Sequence, residues 1–95
     1  MLEIHLTGHQ LTFSGELDCH TVVAHWPFKL LEKLPAVAEF DLAGLQHVDT
    51  AGLAWLLQQL AQANQRGIKV SLLNMPQQLQ SLATVSDVLP LLPVR

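Results

Sequence analysis

Val48-Asp49-Thr50-Ala51-Gly52-Leu53-Ala54-Trp55-Leu56-Leu57 is the stretch whose reading decides the fold. It follows an apolar run, Val37-Ala38-Glu39-Phe40-Asp41-Leu42, that reads as a strand. After a short polar turn it opens a helix that extends to about Arg66. Asp49 and Thr50 are helix-capping residue types, because a side-chain oxygen there accepts an orphan N–H of the first turn. Gly52 has no Cβ and lets another backbone come close. A strand that ends in a capped, glycine-bearing helix start places free N–H donors and a hydroxyl at one surface corner. That corner is the candidate functional site.

Upstream, Leu2-Glu3-Ile4-His5-Leu6 and Leu11-Thr12-Phe13-Ser14 alternate apolar and polar residues around a turn at Thr7-Gly8-His9-Gln10, the pattern of a hairpin. Gly15-Glu16-Leu17-Asp18 leaves the hairpin, and Asp18 or Thr21 is placed to cap a helix over Cys19 to Leu34. Val23, Trp26, Leu30 and Leu34 would form its buried stripe, with a kink or restart at Pro27 and with Phe28 and Leu31 off the stripe. Pro35 ends it.

Downstream, Leu53, Leu56, Leu57 and Leu60 recur at helical spacing with Ala61 alongside, and Gly67 is the C′ residue. Ile68 to Leu73 alternates as a strand. Asn74 and Pro76 then predict a third helix with Leu79, Leu82 and Ala83 inward. Val85 to Leu89 and the tail Pro90 to Arg95 are compatible with a short strand, a last helical turn or an apolar arm. The element order predicts an α/β domain whose helices pack on a sheet with parallel later strands.

Composition narrows the function classes. The chain has 95 residues, 49% of them hydrophobic and 14% charged, which describes one globular domain, residues 1–95, with a single small core. A partner covering part of the surface would explain the low charge fraction, as would small size and many Leu and Ala, and an isolated homodimer is compatible with the same apolar excess. A net charge of -3 leaves no basic footprint for nucleic acid or anionic lipid. The single Cys19 excludes an internal disulfide. No leader pattern or apolar run of ~18 residues is present, so the expectation is a cytoplasmic protein with no direct membrane insertion.

The motifs of catalysis are missing. His5, His9, His20, His25 and His47 are not spaced as a ligand set and read as surface or rim histidines. Ser14, Asp18, Cys19 and His20 have no strained nucleophile turn beside them, and neither phosphate-binding glycine motif occurs. No enzymatic activity, metal or cofactor is expected. Trp55 falls nearly opposite the leucine stripe, beside Ala51, Gln58, Gln59 and Gln62, on a face without charge until Arg66. The reading is an exposed aromatic anchor on a protein-binding face, and the bland alternative is coverage by a helix or the tail.

Asp49-Thr50-Ala51-Gly52-Leu53 resembles the D-[ST]-x-G-L signature of STAS domains (sulfate transporter and anti-sigma factor antagonist). Leu11 to Asp18, Glu39 to Leu42 and Gly67 to Leu72 resemble the family's other strands at the right separations. The resemblance implies a single STAS domain with a mixed, mostly parallel sheet. Ser14-Gly15-Glu16-Leu17-Asp18, Val48-Asp49-Thr50 and Gly52-Leu53-Ala54 are similar to MlaB-type members in particular. That similarity implies a non-catalytic cytoplasmic subunit of a phospholipid-transporting ABC system. Such a subunit binds an MlaF-like ATPase subunit in a membrane complex with a permease and is held peripherally at the inner membrane. The interface expected here comprises Asp49, Thr50, Ala51, Gly52, Trp55, Gln58 and Gln59. The alternative is an anti-sigma factor antagonist that binds a kinase-type anti-sigma factor. In those members a serine commonly precedes the signature glycine and is phosphorylated. Here that position is Ala51, which leaves Thr50 as the weaker phosphosite reading. A lipid- or small-molecule-binding module is a third class that the apolar excess permits.

Overall fold

The computed structural model describes residues 1–25 and 29–94. Four strands form one sheet in the order β1-β2-β3-β4, with β1 at Leu2–Thr7, β2 at Gln10–Leu17, β3 at Val37–Val48 and β4 at Lys69–Leu73. β1 and β2 are the expected antiparallel hairpin, and β2–β3 and β3–β4 are parallel. Helix α1 spans Thr50–Gln65 between β3 and β4, and α2 spans Gln77–Val85 after β4.

Strand alternation puts one apolar face of the sheet under the helices. Cross-strand register aligns Leu6, Leu11, Phe40 and Leu72 in one row across all four strands, beside the pair Ile4 and Phe13. Leu11, Phe13, Phe40 and Leu72 are fully buried. The opposite face carries Glu3 and His5 from β1, Glu39 and Asp41 from β3 and Lys69 from β4.

Several expectations are corrected. The helix expected over Cys19 to Leu34 is instead two short 3-10 segments, Val22–His25 and Lys29–Lys33. Its start is turned by local bonds. Asp18 Oδ1 accepts from the N–H groups of His20 and Thr21, and the Thr21 hydroxyl donates to the Glu16 carbonyl. Val23 is 70% exposed and Leu31 1%, the reverse of their expected places, while Leu34 packs half-buried against the core as expected. Trp26, Pro27, Phe28 and the Leu30 side chain lie outside the described residues.

The turn expected after Leu42 does not exist. β3 runs on to Val48, because β2 extends to Leu17 and pairs with it through two register shifts, one between Thr12 and Ser14 and one between Gly15 and Glu16. Asn74 does not cap α2. Its side chain donates to Asp41 at 3.0 Å, and Pro76 occupies the N-cap position. The tail forms a 3-10 turn at Leu89–Leu91 and then lies along β4, where the Leu72 N–H donates to the Pro93 carbonyl at 2.8 Å.

The end of α1 matches its reading. Gly67 at φ 76° permits the Ile68 N–H to reach the Ala63 carbonyl at 2.9 Å and its own N–H to reach Asn64 at 3.1 Å. The azimuth of the helix does not match. Its buried residues are Gly52, Leu53, Trp55, Leu56, Gln59 and Ala63, while Leu57 and Leu60 are half-buried and Ala61 is exposed. The helix is turned by about one residue step relative to the leucine stripe, ~100°.

Gln59 thereby lies in the core at 0% exposure, and neither polar atom of its side chain has a hydrogen-bond partner among the described residues. A buried amide in that state costs about 1–3 kcal/mol. Gln59→Met, similar in length and without polar demand, is therefore expected to raise the urea midpoint with an unchanged slope. A lower midpoint would show that the amide is bonded in solution.

Candidate functional site: the start of helix α1

The corner is built by three backbone groups that converge on Asp49. Its Oδ1 accepts from the Gly52 N–H at 2.8 Å, which caps α1. Its Oδ2 accepts from the Cys19 N–H at 3.1 Å, and its own N–H donates to the Leu17 carbonyl at 3.2 Å. Gly52 lies against that same Leu17 carbonyl, so closely that a Cβ would collide with it. Partial burial by itself would raise the Asp49 pKa. The N–H donors of Gly52 and Cys19 outweigh it and hold the carboxyl below its ordinary value of 3.8.

Thr50 is the first residue of α1 and not its cap; the capping bond belongs to Asp49 alone. It is exposed, as are Ala54 and Gln58 at four-residue spacing, and Ala51 is half-buried beside them. α1 carries no charged side chain over its whole length. Val22 and Val23 from the first 3-10 segment face this flank. With Ala54, Trp55 and Gln58 they line a shallow hollow of about 370 Å³.

Two expected site residues are corrected. Trp55 is not an exposed anchor: it is 5% exposed, its ring meets Phe13 edge-on at 6.3 Å, and its Nε1–H donates to the His25 carbonyl at 3.4 Å. Gln59 is buried one turn further on. Both follow from the Gly52 contact, which turns that side of α1 toward β2. The hollow residues Val22, Val23 and Ala54 were not expected in the site. Ala54 could have been found by counting four residues on from Thr50. Val23 could not, because it depended on the helix that does not form.

Among the described residues no three His, Cys, Asp or Glu side chains converge as a metal site. None of the described helices is long and apolar enough to cross a membrane.

The family profile described as "Mlab, STAS domain" matches residues 2–93. The chain belongs to this STAS family. It is 34% identical over 88 residues to the intermembrane phospholipid transport system binding protein MlaB of Escherichia coli K12, covering 88% of this chain and 90% of that protein. The same figures hold for MlaB of Shigella flexneri. Among solved structures, an anti-sigma factor antagonist from Mycobacterium paratuberculosis superposes with a TM-score of 0.77 at 13% identity, covering 99% of this chain and 83% of that one. The unphosphorylated anti-sigma factor antagonist SpoIIAA superposes at 0.67 and 17% identity, covering 100% and 87%. At such identities these two establish the shared STAS fold.

Two outcomes are expected for this STAS corner. Because the folded Asp49 pKa is depressed, its charge contributes stability above the unfolded value, and that contribution is lost as pH falls through the folded value. Asp49→Asn keeps a capping oxygen but no charge. Its stability deficit in urea titrations should be constant from neutral pH down to about pH 5 and shrink below 3.8. A deficit independent of pH would show that the charge is not used. Trp55→Ala should lower stability by about 3–5 kcal/mol, and an unchanged denaturation midpoint would place the indole in solvent.

Proposed function

We propose that this STAS domain is a non-catalytic cytoplasmic subunit of an Mla-type intermembrane phospholipid transport system. It binds the ATPase subunit of an ABC transporter and is held at the inner membrane through that complex. The observation that carries this reading is the uncharged, exposed flank of α1 on a chain 34% identical to MlaB over nearly its full length. Thr50, Ala54 and Gln58 present small or amide side chains one turn apart, so a partner helix can approach closely without desolvating a charge. The hollow beside them is floored by Trp55 and rimmed by Val23, a receptacle for one apolar side chain of the partner. Asp49 and Gly52 serve the interface from behind by fixing where α1 begins.

The runner-up is a partner-switching regulator on the same fold, in which phosphate on the signature residue would control binding. Ala51 has no hydroxyl, and the structural likeness to anti-sigma antagonists is one of fold. Thr50 is exposed, so phosphate found there in cells would favour this second reading.

A tagged pull-down from the native organism in mild detergent is expected to recover an ABC ATPase with its permease. Recovery of a soluble kinase-type partner and no transporter would overturn the proposal. In the same assay Thr50→Glu and Ala54→Arg should each reduce recovery to background, since each buries an unpaired charge in the complex. The fold should tolerate both, because the positions are exposed and Glu suits a helix N-terminus. Undiminished recovery with both variants would move the interface off this flank.

A further inference from the structure

We infer that β1 is a self-association edge, across which two copies of this chain pair antiparallel about Ile4. The strand order leaves β1 and β4 at the sheet's edges. The β4 edge is covered by the chain's own tail, which pairs Val94 with Leu72 and carries Pro90 and Pro93. Among the described residues nothing pairs with the outer side of β1. The strand is six residues long, Leu2–Thr7, with no proline and no register shift in its pairing with β2. It lacks proline and a bulge, two of the devices that ordinarily blunt an edge.

The backbone of β1 is oriented for this. The carbonyl of Met1 accepts from the Glu16 N–H, and Thr7 pairs with Gln10 across the tight turn. Antiparallel ladders bond alternate residues, so the odd-numbered residues spend their groups on β2. The N–H and C=O groups of Leu2, Ile4 and Leu6 point outward. A two-fold axis through Ile4 pairs Ile4 with Ile4 and Leu2 with Leu6 of the second copy, each pair exchanging both hydrogen bonds.

The side chains select a second copy over an arbitrary strand. On the open face the same axis sets Glu3 of each copy opposite His5 of the other, in the closely spaced non-hydrogen-bonded positions. The Glu3 carboxylate, which already meets the His5 ring of its own chain at 3.5 Å, gains a second imidazole across the axis, and no two carboxylates stand directly opposite. On the helix-covered face Ile4 and Leu6 are only half-buried at the sheet's end, and the pairing covers both. The α1 flank is not used, so this association is independent of the partner proposed above.

The test is sedimentation equilibrium of the purified full chain across micromolar to millimolar concentrations. A monomer–dimer equilibrium is expected. His5→Glu, which sets carboxylates against each other, should weaken the dimer about tenfold, and Glu3→Lys combined with His5→Glu should restore it. Both positions are exposed, and circular dichroism should show the fold retained. A monomer throughout, or a dimer indifferent to these substitutions, would overturn the inference; the latter would place the contact on another surface.

Discussion

The molecule depends on the join between Leu17 and the start of α1. One carbonyl, Leu17 O, takes the Asp49 N–H and leaves room only for a glycine at position 52. One carboxylate, Asp49, caps α1 with one oxygen and holds the chain leaving β2 at Cys19 with the other. Two stretches 30 residues apart are thereby locked at one point: the end of β2, and the junction where β3 gives way to the first turn of α1. A capping bond typically contributes on the order of 1 kcal/mol. What sets this corner apart is that the same atoms also fix the position of a helix against a sheet.

That position decides what the helix shows. With Gly52 seated on β2, the residues three, four, seven and eleven positions later turn inward: Trp55, Leu56, Gln59 and Ala63. Trp55 then meets Phe13, which in turn meets Phe40 at 5.3 Å, so the glycine contact is continued into the aromatic centre of the core. Leu57 and Leu60 are left half-covered on the other flank. There they line an apolar groove of about 530 Å³ with Ile68, Val70, Leu91 and Pro93. The corner thus determines the buried amide of Gln59, the small-residue flank and the leucine groove together.

Much of this was legible in the sequence. The hairpin, the parallel order of the later strands, the Asp49 cap and the Gly67 stop each rest on a short-range rule that a few residues satisfy, and the motif spacing identified the STAS fold. The azimuth of α1 was not legible from its leucines, because a helix with apolar residues over half its circumference does not say which part faces the sheet. The glycine did carry that information, through the need for close backbone approach, but only once its opposite number, Leu17, was known. The segment after Asp18 failed for a different reason. Asp18 and Thr21 satisfy each other's backbone locally, which competes with helix formation in a stretch that Pro27 already interrupts. The extension of β3 past Leu42 depends on irregular pairing with β2, which alternation patterns do not report.

Charge is distributed unevenly between the two sides of the sheet. Neither α1 nor α2 contains a single Asp, Glu, Lys or Arg, while the open face of the sheet carries Glu3, Glu39, Asp41 and Lys69. The surfaces of α1 and α2 are neutral, and a neutral exposed surface loses little when a partner displaces its water. The edge strand β1 borders both surfaces, with its leucines and isoleucine toward the helices and its Glu3 and His5 toward the solvated face. A contact along that edge and a contact on the outer flank of α1 draw on different residues. The α1 flank and the β1 edge are therefore separate surfaces, the first neutral and lined by small or amide side chains, the second carrying open backbone groups.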